Sequence, residues 1–174
     1  MRIPFLTLAV LAFLVGTAPA RAEAVQSALN EAIATFEQAE ARLGSGTFGV
    51  DVDAYRDALT LGRFSSVHWG SDITIALEDG DGTAGCARFA AYVRLPPRDN
   101  TVSLVFCPQF SSQGTPALRR LTVLHEMVHV VAGADECRAM AFAARVEVLA
   151  TGAFTPVARY WRNNDCDRSG FTLP

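Results

Sequence analysis

The sequence predicts a small α+β domain in which helices pack against a short antiparallel sheet. Apolar residues recur with helical spacing towards both ends of the chain, at 24–43 and at 115–150. Between these segments, residues 72–77 alternate with period two, and residues 86–106 have the composition of a β-hairpin. No internal repeat or low-complexity linker divides the chain, so we expect one domain over residues 23–174.

The first 22 residues have the pattern of a secretory signal peptide. Arg2 precedes an apolar run, Phe5–Val15, and small residues follow it up to Ala20-Arg21-Ala22. The apolar run is too short to span a membrane comfortably. We therefore expect cleavage after Ala22, export to the periplasm or the medium, and no stable membrane insertion afterwards.

The charge balance argues against nucleic acid as a partner. The chain has 15 basic and 18 acidic residues, a net charge of −3, and no run of basic residues. The sequence does not indicate an oligomeric state.

The first half of the expected domain contains two helices and a strand. The helix at 24–43 ends at Gly44-Ser45-Gly46, and a second, shorter helix is expected over Asp53–Leu61. The strand Asp72–Leu77 leads into an acidic turn, Glu78–Gly82. This turn lacks the spacing and the closing glutamate of a calcium loop, so we interpret it as a solvated turn.

A hairpin follows, with strands expected at Cys86–Leu95 and Thr101–Phe106. Pro96–Asn100 joins them as a loop of about five residues. Cys86 and Cys107 fall near opposite positions of this hairpin, so we expect them to form a disulfide.

The four cysteines predict two disulfides, because an even number in an exported protein is typical of disulfide bonding. Besides Cys86 with Cys107, we expect Cys137 to bond Cys166 and to hold the C-terminal tail against the last long helix. The alternative, thiols that are free or bind a metal, is weaker because no C-x-x-C pair is present.

Helices are expected through most of the C-terminal third. Thr115-Pro116 is a helix start, with threonine as N-cap and proline at the first position, and Gly133 ends that helix. Asp135 is a plausible N-cap for a second helix that reaches about Ala150. A short helix is expected within Phe154–Trp161.

The helix that begins at Thr115 carries the motif His125-Glu126-Met127-Val128-His129, an H-E-x-x-H pattern. Residues four apart lie on one helix face, so His125 and His129 can direct two imidazole nitrogens at one point. Glu126 projects from a neighbouring angle, beside a metal-bound water. The helix is apolar on most sides, and buried polar groups in it would cost several kcal/mol unless something satisfies them. A zinc ion would do so.

A catalytic zinc also needs a third protein ligand. His68, the only other histidine, is distant in sequence and is more simply explained as a surface residue. Asp135 and Glu136 follow His129 across a glycine turn. We favour Glu136, because an aspartate at a helix start is explained by capping, and we keep Asp135 as the alternative.

The motif and the segment after it resemble known metallopeptidases. His125–His129 followed by Glu136–Ala144 resembles the gluzincins, whose third zinc ligand is the glutamate of an E-x-x-A helix. The E-x-x-A-x-x-F-A-A string is similar to that of the ImmA/IrrE-type regulatory proteases. Leu104–Phe110 resembles deuterolysin-type secreted proteases, and in zincins of this sort a strand before the active helix lies along the cleft. The spacing of Asp135 from the motif also matches the third ligand of metzincins.

The resemblance implies a zincin-like fold and a zinc-dependent metallopeptidase that acts on peptides or proteins. Glu126 would be the general base. Tyr160 or His68 could donate a hydrogen bond to the oxyanion, although a structural role is the simpler explanation of each. Two other classes stay open. One is a zinc-binding protein without turnover, and the other is a disulfide-stabilised envelope protein without a metal.

Overall fold

The computed structural model describes residues 17–174, with side chains from residue 20 onwards. It has a mixed α+β fold, which confirms the predicted fold class. The helices are α1 (Thr17–Glu40), α2 (Val52–Leu59), α3 (Pro108–Ser112), α4 (Pro116–Ala132), α5 (Glu136–Thr151) and α6 (Ala158–Asn163). The strands are β1 (Phe64–Ser66), β2 (Ser71–Asp79), β3 (Ala91–Arg98) and β4 (Thr101–Phe106).

The four strands form one mixed sheet in the order β1-β2-β4-β3. β1 pairs antiparallel with β2, and β3 pairs antiparallel with β4, as the predicted hairpin requires. The expectation of a purely antiparallel sheet is wrong, because β2 and β4 run parallel. After β2 the chain passes to the outer edge as β3, and the hairpin then returns it to the middle of the sheet as β4.

The hairpin turn is tighter than the sequence indicated. β3 continues through Pro97 to Arg98, with an irregular register between Arg94 and Arg98. Asp99 and Asn100 alone form the turn, with φ angles of 49° and 58°. Aspartate and asparagine accept this left-handed conformation, and proline is tolerated at an edge-strand bulge. The predicted five-residue loop is therefore a two-residue turn.

Both predicted disulfides are present, Cys86–Cys107 and Cys137–Cys166. Cys86 was expected at the start of a hairpin strand, but it does not lie in a strand. It lies in a short three-ten turn, Ala84–Ala87, ahead of β3. The turn lies beside the end of β4, where Cys107 follows the last strand residue.

Helix α4 lies at the centre of the molecule, and its residues from Val123 to Ala132 are all buried. Helices α1, α2 and α5 pack around it. Its predicted start is confirmed: Thr115 accepts a hydrogen bond from the Leu118 amide at 3.2 Å. Two aromatic side chains also hydrogen-bond to its backbone. The Tyr55 hydroxyl donates to the Leu124 carbonyl at 2.8 Å, and the Trp69 indole donates to the Val130 carbonyl at 2.7 Å.

Most of the predicted signal peptide, residues 1–16, lies outside the described residues. Helix α1 begins at Thr17 and continues without a break past the predicted cleavage position after Ala22. The Arg21 guanidinium forms ion pairs with Asp79 and Asp81, whose side chains are 79% and 70% exposed, as expected of a solvated acidic turn. Cleavage after Ala22 would remove both ion pairs. Among the described residues no helix has the length and hydropathy needed to cross a membrane.

Candidate metal centre

Three side-chain atoms from the predicted site meet at one point. The Nε2 atoms of His125 and His129 lie 3.0 Å apart. Glu136 Oε2 lies 3.1 Å from the first and 3.4 Å from the second. Zinc–ligand bonds of about 2.0–2.1 Å in a tetrahedral site place ligand atoms about 3.3–3.4 Å apart. The triangle has about these dimensions, so this buried group could hold a metal ion.

The turn between α4 and α5 places Glu136 in this group. Gly133 ends α4 with φ 83° and ψ −168°, a conformation that is accessible essentially only to glycine. Asp135 is the N-cap of α5 and accepts a hydrogen bond from the Arg138 amide at 2.9 Å. Glu136 is therefore the first helical residue, and its carboxylate extends back to α4. Of the two candidate ligands, the structure places Glu136 against the histidines and engages Asp135 in capping.

The two histidines are oriented differently. His129 donates a hydrogen bond from Nδ1 to the Gly133 carbonyl at 2.9 Å, which leaves the Nε2 lone pair directed at the centre. The Nδ1 atom of His125 is buried and has no hydrogen-bond partner in the described part of the chain. The turn that brings in Glu136 thus also orients His129.

The surroundings shift the pKa of all three groups. Burial lowers the pKa of His125. For His129, burial acts in the same direction, but the contact with Glu136 and the charge of Glu126 outweigh it and raise the pKa. Burial of Glu136 acts to raise its pKa, yet the two imidazoles and the Tyr160 hydroxyl hold it well below its usual range. Glu136 is thus a carboxylate at neutral pH, as a metal ligand must be.

Glu126 lies beside the triangle and is 8% exposed. It makes no hydrogen bond or ion pair with another side chain among the described residues, and its polar neighbour is the backbone amide of Val93 in β3. Burial raises the pKa of Glu126 to about 8, although the nearby His129 acts to lower it. A cation bound beside it would favour the carboxylate form.

The structure brings only one of the two proposed oxyanion donors to the site. The Tyr160 hydroxyl donates to Glu136 Oε2 and lies 3.4 Å from His125 Nε2. His68 is exposed and lies outside the cleft, with its ring perpendicular to that of Trp69 and close to Gly133. Of the two, only Tyr160 lines the cleft.

An ion pair between α4 and a buried glutamate of α5 was not predicted. Glu147 is fully buried in α5 and accepts two hydrogen bonds from Arg120, at 2.7 and 3.1 Å. It also accepts bonds from the backbone amide and the hydroxyl of Thr155. These contacts tie the loop that leads to α6, and so to Tyr160, against α4 and α5. The only sequence signal was a charged residue on an apolar helix face.

The centre lies on the floor of a cleft of about 760 Å³. One wall is the segment Arg88–Val93, which includes the outer edge of β3, and another is the start of α4. Tyr160 and its neighbours in α6 form a further wall. The strand predicted to line the cleft, at Leu104–Phe106, is instead inside the sheet. Its hairpin partner β3 takes that position, because β3 is the edge strand.

The fold and the site define an α+β protein with a buried His-His-Glu group that could hold a metal ion. No protein-family model, no curated protein and no solved structure matches the chain.

Proposed function

We propose that the protein is an exported zinc-dependent metallopeptidase that hydrolyses peptide bonds. The observation that carries this proposal is a triad able to hold a metal ion beside the buried carboxylate of Glu126, on the floor of an open cleft. No other side chain among the described residues engages this carboxylate. Two histidines and a glutamate, with a fourth position left for water, form a ligand set typical of catalytic zinc. The two disulfides are compatible with an oxidising compartment, which supports export.

Zinc bound to this triad would lower the pKa of a coordinated water towards ~7 and polarise a substrate carbonyl. Glu126 would accept a proton from the attacking water and deliver it to the departing amine nitrogen. Tyr160 holds the Glu136 carboxylate and so keeps the third ligand in position.

The edge of β3 supports a peptide as substrate. β3 hydrogen-bonds to β4 on one side, and its other side faces the cleft. An extended peptide can add to such an edge through backbone hydrogen bonds. Because Val93 in this strand also contacts Glu126, a peptide paired with β3 would pass directly over the proposed general base.

Metal content and one substitution test the proposal. We expect about one zinc per mature chain by elemental analysis. We expect Glu126→Gln to retain zinc and to reduce hydrolysis of an unfolded protein substrate by about 10²–10⁴-fold. Glu37→Gln, which alters an exposed glutamate of α1, is the matched control.

The results separate the three classes. Zinc binding without turnover by the unaltered protein would indicate a binding protein. Failure to bind any transition metal after reconstitution would leave only the disulfide-stabilised structural protein.

A further inference from the structure

The charges around the cleft are unevenly distributed. The acidic residues that line the cleft, Glu126 and Glu136, both belong to the proposed centre on its floor. Within the part of the chain that the structure describes, every other charged residue of the lining is an arginine: Arg88, Arg119 or Arg159. The chain as a whole has a net charge of −3, so this positive rim is a local feature.

Two of these arginines are available to a bound molecule. Arg88 and Arg159 are exposed, and neither forms an ion pair with a residue in the described part of the chain. Arg119 differs, because its guanidinium donates to the Gly114 carbonyl and thereby supports the start of α4.

The two available arginines lie on different walls. Gln109 donates to the carbonyls of Cys86 and Phe89, which ties the segment around Arg88 to α3. Arg159 lies in α6, next to Tyr160, beside the proposed ligand Glu136. A peptide that crosses the centre would therefore meet a positive charge on each side.

The Arg88–Val93 wall and the start of α4 each expose an apolar side chain to the cleft. Phe89 is 41% exposed and Leu118 is 44% exposed, and both line the cleft. The Arg88 guanidinium lies 5.2 Å from the centre of the Phe89 ring. Apolar side chains that line a cleft offer contact area to an apolar group of a bound molecule.

We infer that the cleft selects peptides that carry a large apolar side chain flanked by acidic residues. This inference rests on the proposed function, since it names the substrate class of the same site. The apolar side chain would cover Phe89 and Leu118, and the flanking carboxylates would pair with Arg88 and Arg159. Basic flanks would be disfavoured, because like charges would face each other across the cleft.

The test uses zinc-loaded Glu126→Gln protein, which separates binding from hydrolysis. The probes are fluorescein-labelled ten-residue peptides with one central Phe and pairs of Asp, Ser or Lys on both sides, measured by fluorescence anisotropy. An exposed ion pair contributes about two- to fivefold, so two arginines should favour Asp over Ser flanks by roughly tenfold at low salt. The preference should shrink as salt screens the charges.

Matched variants assign the preference to the rim. Arg88→Glu and Arg159→Glu, in the same background, should each reduce it by about two- to fivefold or more. Arg145→Glu, an equal charge change at an exposed position of α5 outside the cleft, should not. For the apolar contact, replacing the central Phe by Ser should weaken binding by about tenfold or more. Leu118→Ser should reduce that difference, whereas Val67→Ser, at an exposed position outside the cleft, should not.

Each outcome bears on the inference. Equal or tighter binding of the Lys-flanked peptide, an effect of Arg145→Glu equal to those at the rim, or no binding of any probe would overturn it. If the preference holds but the unaltered protein cleaves none of the peptides, the proposed hydrolysis fails and the peptide selectivity stands.

Discussion

The structure makes opposite predictions for two adjacent carboxylates, and these can be tested with a pair of substitutions. Glu136 Oε2 lies 3.1 and 3.4 Å from the two imidazole nitrogens, whereas Asp135 caps α5 through the Arg138 amide. Glu136→Gln keeps the size of the side chain and removes its negative charge. Asp135→Ala removes the cap and leaves the three proposed ligands unchanged.

Glu136→Gln should mainly reduce zinc affinity, whereas Asp135→Ala should mainly reduce stability. Loss of a residue that hydrogen-bonds to a metal ligand typically costs 10–100-fold in metal affinity. Glu136 is itself a proposed ligand, so Glu136→Gln should weaken zinc binding by more than about 100-fold. The Cys137–Cys166 disulfide holds the start of α5, so the fold should persist. Loss of an N-cap costs about 1 kcal/mol, which lowers Tm by about 2–4 °C in a chain of this size. Asp135→Ala should therefore melt earlier and bind zinc as the unaltered protein does.

Two measurements decide the question. Zinc affinity is obtained by competition with a chromophoric chelator, and Tm by circular dichroism with and without zinc. If Asp135→Ala loses the metal and Glu136→Gln retains it, the triad is wrong and the metzincin-like ligand spacing is correct.

Two further predictions concern the support of the site. Glu147→Ala should lower the free energy of unfolding, measured by urea denaturation, by about 3 kcal/mol, because it leaves Arg120 without its buried partner. Glu37→Ala, at an exposed site, should change the same free energy by less than about 0.5 kcal/mol. Equal effects of the two substitutions would contradict a role for the ion pair. Gly133→Ala should cost about 1–3 kcal/mol because of its positive φ. It should also weaken zinc binding about 10–100-fold by moving the carbonyl that orients His129, and unchanged zinc affinity would show that this hydrogen bond has no such role.

Local signals predicted the helices well. Thr115-Pro116 and Asp135 were recognisable as helix starts because capping depends on a few neighbouring backbone groups. The helical period placed His125 and His129 together because four residues make about one turn. It also placed the apolar face of α1, where Leu29 and its neighbours on that face are buried.

The sheet was predicted less well, because strand pairing joins residues that are distant in the chain. The period-two pattern identified β2 as a strand but could not show that it runs parallel to β4. For the same reason, the sequence indicated β4 as the strand that lines the cleft, whereas in the structure β3 lines it. The turn at Asp99-Asn100 could have been predicted, since both residues favour the left-handed conformation.

For the candidate site, the sequence by itself determined the H-E-x-x-H face, because that face depends on spacing within about one helical turn. It also gave the preference for Glu136 over Asp135, because capping explains Asp135 locally. The tertiary structure alone decided which distant groups surround that face. Tyr160 reaches Glu136 through the C-terminal tail, and the edge of β3 reaches Glu126 through the sheet. Such contacts depend on how whole elements pack, and no local spacing encodes them.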